Sequence, residues 1–421
     1  MGKDLKGKEL PKGISQRKDG RYVGRFTNRF GERPEYKSFK LNEVKNALAK
    51  AIYEDQQKLN TRNSEITLDE WYEKWLTIHK YGIIKANTKA GYRGHYNKHI
   101  SPKLGKVKIA DITQLQIKSL LNKMDKAGYG FEMKNRTRIM LVDMFDKAMQ
   151  DEMLNRNPAK GIKIIRDEKV EPRVLSKEEQ SIFFDCCKGT FYDNLFVLCV
   201  NTGLRPGEAC ALRESDVDFE KNFISVSRTL IYQKWEDDNN KEIHIDTPKT
   251  KTSIRKIPLN DRAKTALKKQ LVQKEVLRNR YGDKQCDKQF LDLLFTTKFN
   301  TPIIEQTFID AIDRIIKEIN SVRDVFDEFE RITPHCFRHT FATRCLESGM
   351  KPKVLQTILG HATLQMTMDL YTHVLPQMQS DEMELLESEM KKVDDMETQI
   401  VEERYERRSK QKAKVIEMAV I

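Results

Sequence analysis

His335, Arg338, His361 and Tyr371 crowd into residues 333 to 373 at spacings that suit phosphate chemistry. His335 and Arg338 stand three apart, and on a helix such positions share a face, so both can reach one anion. Gly349, Pro352 and the pair Leu359-Gly360 punctuate the segment into short helices, a pattern that brings His361 back toward that face. Tyr371 follows a few turns on, ahead of His373. A second group lies upstream in TGLRPGEACAL: Gly203 breaks a helix, Arg205 is exposed at the turn, Pro206 takes the first helical position and Glu208 lies three residues further. Glu208 is placed either to orient a neighbouring cation or histidine, or to serve as a plain carboxylate at a helix start. Singly, each residue is ordinary, since a lone helical histidine is usually solvated and a tyrosine after an apolar run is usually core. Jointly they supply charged forks for phosphate oxygens, proton carriers and a phenol nucleophile, the requirements for breaking a phosphodiester without a metal.

Such a site needs a framework, and composition bounds it. A chain of 421 residues points to two to four domains. With 38% hydrophobic and 33% charged residues, a mean hydropathy of −0.66 and no run of about 18 uninterrupted apolar residues, no membrane span is expected. The start MGKDLKGKELPKG has no apolar core of a secretory signal, so residence in the cytoplasm, on the nucleoid, is the expectation. Seven cysteines without a C-x-x-C pair or a zinc-like spacing read as reduced, mostly buried small hydrophobes. No carboxylate cluster, Gly-rich phosphate loop or His/Cys set implies a metal or nucleotide, so neither metal nor cofactor is expected. A net charge of +13 favours a polyanionic partner.

The elements that must position the site follow from periodicity. The stretch from Phe191 to Asn201 is apolar nearly all round and should be a buried helix. Phe223 to Arg228 reads as a strand, and HIDTPKTKTSIRKIPL as a hairpin whose tip carries Lys249, Lys251, Arg255 and Lys256. Residues 261 to 320 revert to helix with one break, and residues 321 to 332 form an acidic spacer. Residues 377–421 form a polar helical tail with Met383, Leu386, Met390, Val393, Met396 and Ile400 on one stripe.

Taken residue by residue, the chain resembles the tyrosine recombinase (integrase) family. The H-x-x-R box falls at His335 to Arg338, the L-G-H box at Leu359 to His361, the first arginine box T-G-L-R-x-x-E at Thr202 to Glu208, and the nucleophile at Tyr371. The resemblance implies a mainly α protein with small β-sheets, a multidomain C-shaped DNA clamp whose catalytic domain is like that of tyrosine recombinases and type IB topoisomerases. It implies a catalytic set of Arg205, Lys249, His335, Arg338, His361 and Tyr371, supported by Glu208. Tyr371 would attack to give a 3′-phosphotyrosine, Arg205 and Arg338 would bind the non-bridging oxygens, His335 would do acid-base work, and His361 would hydrogen-bond a phosphate oxygen. The pattern P-K-T-x-x-S-x-R-x-I-P-L makes Lys249 the acid for the departing 5′-oxygen, with Lys251 its competitor.

The remaining domains follow the same resemblance. Residues 1–62 read as a small sheet backed by a helix, with a turn at Lys18-Asp19-Gly20 and basic residues Arg17, Lys18, Arg21, Arg25, Arg29 and Arg33 on the sheet. Such a face fits a major groove or is merely solvated, and the domain resembles the arm-binding domain of conjugative-transposon and some phage integrases. Residues 63–165 are helical by pattern, opened by a capping box at Thr67 and Glu70. With Lys85, Lys89, Arg93, His95, Lys98, Lys103 and Lys106 as a basic set, they resemble the core-binding domain. Residues 173–376 would be the catalytic domain, with Lys251 and Arg255 adding DNA contacts. The implied activity is site-specific recombination that integrates and excises a mobile element. Double-stranded DNA at core and arm sites is the implied partner, bound by a homotetramer, with an excisionase and a DNA-bending host protein as candidate accessories. The arm domain favours this over a Xer-like chromosome dimer resolvase. The complete set of catalytic residue types argues against a non-catalytic regulator, and a type IB topoisomerase, sharing the chemistry, would instead relax supercoils as a monomer.

Overall fold

A computed structural model describes residues 3–29, 31–56, 66–166, 172–248, 251–282, 287–324, 327–370 and 375–419. They form two compact units, Met1–Val170 with Lys234–Asn239, and Glu171–Gln233 with Asn240–Ile421. The division falls in the charged connector Gly161 to Pro172.

In the first unit, β1 (Ile14–Gln16), β2 (Tyr22–Arg25) and β3 (Glu35–Ser38) form an antiparallel sheet in sequence order, packed on α1 (Leu41–Gln56). Gly20 supplies the positive φ of the β1–β2 turn, where the Arg17 amide donates to the Arg21 carbonyl at 2.8 Å. Gly24 faces the helix, and a Cβ there would stand 2.9 Å from Val44 Cγ1, so this close approach requires glycine. Strand alternation then turns Val23 and Arg25 to the other face, where Glu35 takes ion pairs from Arg17, Arg25 and Lys37.

Beyond it lie α2 (Leu68–Lys74), α3 (Ala86–His95), α4 (Ser101–Leu104), α5 (Gln114–Lys126) and α6 (Phe131–Gln150). Thr67 and Glu70 close the expected capping box of α2, and Thr113 with Gln116 closes that of α5. α2 and α3 each run on into a π-helical turn, Trp75–His79 and Tyr96–Ile100. Burial of aromatic rings fixes this core: Tyr72 stacks on Tyr96 at 3.7 Å, and the Trp71 indole donates to the Met144 carbonyl at 2.9 Å. His95, grouped by sequence with the surface cations, is instead 6% exposed and lies 2.8 Å from Thr137 Oγ1. Burial, then the neighbouring His99, lowers its pKa to about 4, so it adds no charge to a basic face.

The second unit begins with α7 (Lys177–Cys187), capped by Ser176 and Glu179, and α8 (Asp193–Thr202). α8 is the buried helix that its composition demands, packed against later helices on two sides. After α9 (Pro206–Cys210) come β4 (Val217–Asp218), β5 (Phe223–Val226), β6 (Thr229–Gln233), β7 (Glu242–Asp246) and β8 (Arg255–Pro258). The expected hairpin from His244 to Leu259 does not form as one. β7 pairs with β6, while β8 pairs with β5 in a sheet of order β4-β5-β8. The reason is burial: Ile257 sits opposite Ile224, both closed from water, and Pro248 has no amide to extend the β7 ladder. α10 (Asp261–Tyr281), α11 (Glu305–Asn320), α12 (Pro334–Glu347), α13 (Pro352–Leu359) and α14 (Leu364–Met368) complete the compact part. Phe183, Phe196, Phe308 and Phe337 meet at its centre, with ring centroids 5.5 to 6.5 Å apart. α15 (Leu375–Ala419) is a long helix on which Met383, Leu386, Met390, Val393, Met396 and Ile400 are exposed.

Candidate active site

The site is built where α8, α12 and α13 converge. Gly203 ends α8 in the left-handed region (φ +63), and a Cβ there would stand 2.5 Å from a ring carbon of Phe341 and 2.8 Å from Leu359 Cδ2. Only glycine allows both the turn and the approach of the two helices. Two residues on, Arg205 caps α9. Its amide donates to Glu208 Oε2 at 2.9 Å and its Nη1 to Oε1 at 2.8 Å. Glu208, 4% exposed, also receives both terminal nitrogens of Arg255, at 3.0 and 2.9 Å. Burial pushes its carboxyl up, but the hydrogen bonds and charge of Arg255, with the charge of Arg205, outweigh that and hold it below the usual range. Of the two readings open in the sequence, Glu208 thus orients neighbouring cations.

The C-terminal end of α13 gathers three guanidinium groups. Arg255 Nε donates to the Ile358 carbonyl at 2.5 Å, Arg338 Nη2 to the Leu359 carbonyl at 2.8 Å, and Arg205 Nη2 to the Gly360 carbonyl at 3.5 Å. The last carbonyls of a helix lack partners within it and carry the negative end of its dipole, so they attract cations. Arg338 is further tied through Nη1 to the Gly203 carbonyl at 2.7 Å. Burial, followed by the like charge of Arg205, lowers its pKa to about 9, which leaves it a cation at neutral pH.

His361 follows the left-handed cap Gly360 (φ +66) and is 8% exposed. Its Nδ1 shares a hydrogen bond of 2.9 Å with Thr367 Oγ1 of α14, and its carbonyl receives the Gln356 amide group at 3.2 Å. Burial first, then Arg338, Arg205 and Arg255, bring its pKa down to about 4, so the ring is neutral and free to accept or donate at Nε2. His335 sits one turn before Arg338 with its ring reaching solvent. The surrounding protein, then the charges of Arg338 and Arg205, hold its pKa below the ordinary value. A neutral imidazole beside fixed cations can take a proton, and an anion seated among them would be bound by charge.

Arg205, His335, Arg338 and His361 are therefore brought together with Glu208. Tyr371 and Lys249 lie outside the described residues. Lys251 begins a short 3-10 turn, Lys251–Ser253, and its side chain also lies outside them. Arg255 is a correction: grouped by sequence with the DNA contacts of a hairpin tip, it is a buried strut, because it shares strand parity with the buried Ile257 and so points inward. That alternation was the signal in the sequence that could have found it. Thr367 and Gln356, which hold His361, were also missed, and neither has a sequence signal beyond proximity. Of the remaining candidates, Arg17, Lys18, Arg21 and Lys98 are exposed. Arg25 pairs with Glu35, Lys89 with Glu236, and Arg93 with Glu73 at 3.0 Å. Among the described residues, no group of three or more His, Cys, Asp or Glu could hold a metal ion.

Residues 173–378 match the phage integrase family, and residues 67–124 match the phage integrase N-terminal SAM-like domain. The transposase from transposon Tn916 of Enterococcus faecalis is 29% identical over 392 residues, covering 88% of this chain and 93% of the relative. Among solved structures, the Tn1549 transposon integrase in complex with a circular intermediate DNA is similar at 27% identity and a TM-score of 0.64, over 76% of this chain and 100% of that one. A lambda integrase tetramer bound to a Holliday junction shares the fold at 19% identity, with a TM-score of 0.53 over 86% of this chain.

Proposed function

The chain belongs to the phage integrase family of tyrosine recombinases, and on that premise we propose how its site breaks and rejoins DNA. The protein is a site-specific integrase of a mobile element, an enzyme of DNA strand breakage and rejoining. The observation that carries the proposed chemistry is the convergence of Arg205, Arg338 and His361, from three separate motifs, on the end of α13.

In this reading the scissile phosphate lies against Arg205 and Arg338, whose guanidinium groups neutralise the charge that develops on the non-bridging oxygens. His361 hydrogen-bonds one of those oxygens. The Tyr371 oxygen attacks phosphorus while its proton passes to His335. The bond from phosphorus to the 5′-oxygen breaks, and that oxygen leaves with the electron pair and takes a proton from a lysine ammonium, Lys249 in preference to Lys251. The product, a 3′-phosphotyrosine and a free 5′-hydroxyl, keeps the bond energy, so rejoining is the same path reversed. Losing one charged donor set costs ~3 to 4 kcal/mol in such a transition state, a hundredfold or more in rate.

DNA is the substrate. The proposal extends to core-site binding by residues 63–165, arm-site binding by the sheet of residues 1–62, and assembly of a tetramer on DNA. It also extends to action in the cytoplasm with an excisionase and a DNA-bending host protein. No helix among the described residues is long and apolar enough to cross a membrane. The test is a gel for covalent protein-DNA adduct on nicked DNA from the element's own ends. The wild-type chain should form the adduct, and Tyr371→Phe should bind the same DNA with near-normal affinity and form none. A denaturant-resistant adduct in that variant would overturn the assignment of the nucleophile.

A further inference from the structure

Arg255 is buried, and it ties together three pieces of the site. Its side chain is 3% exposed, and its terminal nitrogens fork onto both oxygens of Glu208, the carboxylate that also holds Arg205. Its Nε donates to the Ile358 carbonyl, and Nη1 donates also to the Ser253 carbonyl at 3.0 Å, in the turn through which its own strand is entered. That turn is pressed on the His361 loop: a Cβ on Gly360 would meet Arg255 Cδ at 2.9 Å, the Thr252 carbonyl oxygen at 3.1 Å and Ser253 Cα at 3.2 Å.

We propose that Arg255 is a positioning residue for cleavage. It clamps the turn that begins at Lys251, two residues after Lys249, to the end of α13 and to Glu208. The inference rests on the recombinase reading of the site. Geometry explains why the residue is arginine. A planar fork can span two carboxylate oxygens while its Nε serves a backbone carbonyl, whereas the single nitrogen of lysine cannot reach all three pieces. The consequence is specific to one step. Releasing the clamp lets the lysine-bearing segment drift from the leaving oxygen, while Arg338 keeps its own two carbonyl anchors, at Gly203 and Leu359, and Arg205 keeps its bonds to Glu208 and to the Gly360 carbonyl.

The experiment compares two nicked duplexes from the element's own ends, identical except that the bridging 5′-oxygen at the scissile phosphate is replaced by sulfur in one. A thiolate leaves without an acid, so the sulfur substrate does not need the lysine. With full-length Arg255→Gln, adduct formation on the oxygen substrate should fall ~100-fold or more, the cost typical of a misplacement of about 1 Å. On the sulfur substrate it should stay within ~5-fold of wild type, the pattern Lys249→Ala should also give. Equal slowing on both substrates would mean that Arg255 supports the fold or the phosphate-binding arginines instead, and no slowing on either would also sink the idea. If Arg255→Gln does not fold, Arg255→Lys is read on the same pair, where the same selective loss supports the proposal and wild-type rates on both overturn it. Absence of adduct with the wild-type chain on either duplex would mark the failure of the recombinase reading itself, and the positioning role would fall with it.

Discussion

Glu208→Gln tests whether one buried carboxylate organises the two arginines of its box and strand. Glu208 is 4% exposed and accepts from Arg205 once through Nη1 and once through its amide, and twice from Arg255. Removing one partner of a buried ion pair typically costs ~3 to 5 kcal/mol, because the remaining charge is left buried and uncompensated. Glutamine keeps one acceptor oxygen, which places the expected loss near ~3 kcal/mol. At ~2 to 4 °C per kcal/mol for a unit of this size, the melting temperature of the full chain should fall by ~6 to 12 °C at pH 7 in scanning calorimetry. The sign of the pH dependence follows from the depressed carboxyl pKa. Glu208 contributes its stability above the ordinary carboxylate value of 4.5, and loses it as pH falls through the lower folded value. The gap between wild type and variant should therefore close on acidification. A fall under ~2 °C at pH 7, outside the ~6 to 12 °C window, or a gap that widens toward acid, would refute the reasoning.

Gly360→Ala should lose ~1 to 3 kcal/mol for a non-glycine residue in the left-handed region and displace Arg255, lowering both melting temperature and cleavage rate; unchanged cleavage would detach the Gly360 loop from the chemistry. His361 is neutral in the fold with a pKa near 4, so the unfolded chain takes up its proton first, and stability should fall as pH drops from about 6.5 to 4. His361→Gln should flatten that limb in calorimetric titration, and an unaltered slope would contradict the burial assigned to the ring. Deleting residues 1–62 should leave cleavage of isolated core sites intact while affinity for distal arm sites falls; equal binding of both site classes before and after deletion would remove the arm reading. Truncation after Gln379 removes the exposed stripe from Met383 to Ile400 and should weaken tetramer assembly on DNA without lowering the monomer melting temperature, whereas a lower melting temperature with unchanged assembly would place the helix in cis.

What the sequence disclosed, and what it hid, divides along a physical line. Helix starts were legible because a capping box is local: Thr67 with Glu70, expected from the sequence, closes over three residues, as does Ser176 with Glu179. The buried α8 was legible because it is apolar nearly all round. Strand partners were not, since β7 and β8, separated only by residues 247–254, choose β6 and β5 according to which apolar residues can be covered at a distance. His95 looked like one more cation among lysines until Thr137, on another helix, covered it. At the site the same line runs between groups proposed to meet the substrate and groups that hold them. Arg205, His335, Arg338 and His361 advertise themselves by side-chain type and spacing. What fixes two of the three arginines at the end of α13 is largely backbone: the Gly203 and Leu359 carbonyls for Arg338, and the Ile358 and Ser253 carbonyls with Glu208 for Arg255. A carbonyl oxygen is common to all residue types, so its role leaves almost no trace in a sequence. The trace that does remain is glycine, at 203 and 360, where a side chain would block the approach. The L-G-H box can thus be understood as a helix end shaped to hold cations, with the histidine as the one member whose side chain is given to the phosphate in the proposed mechanism.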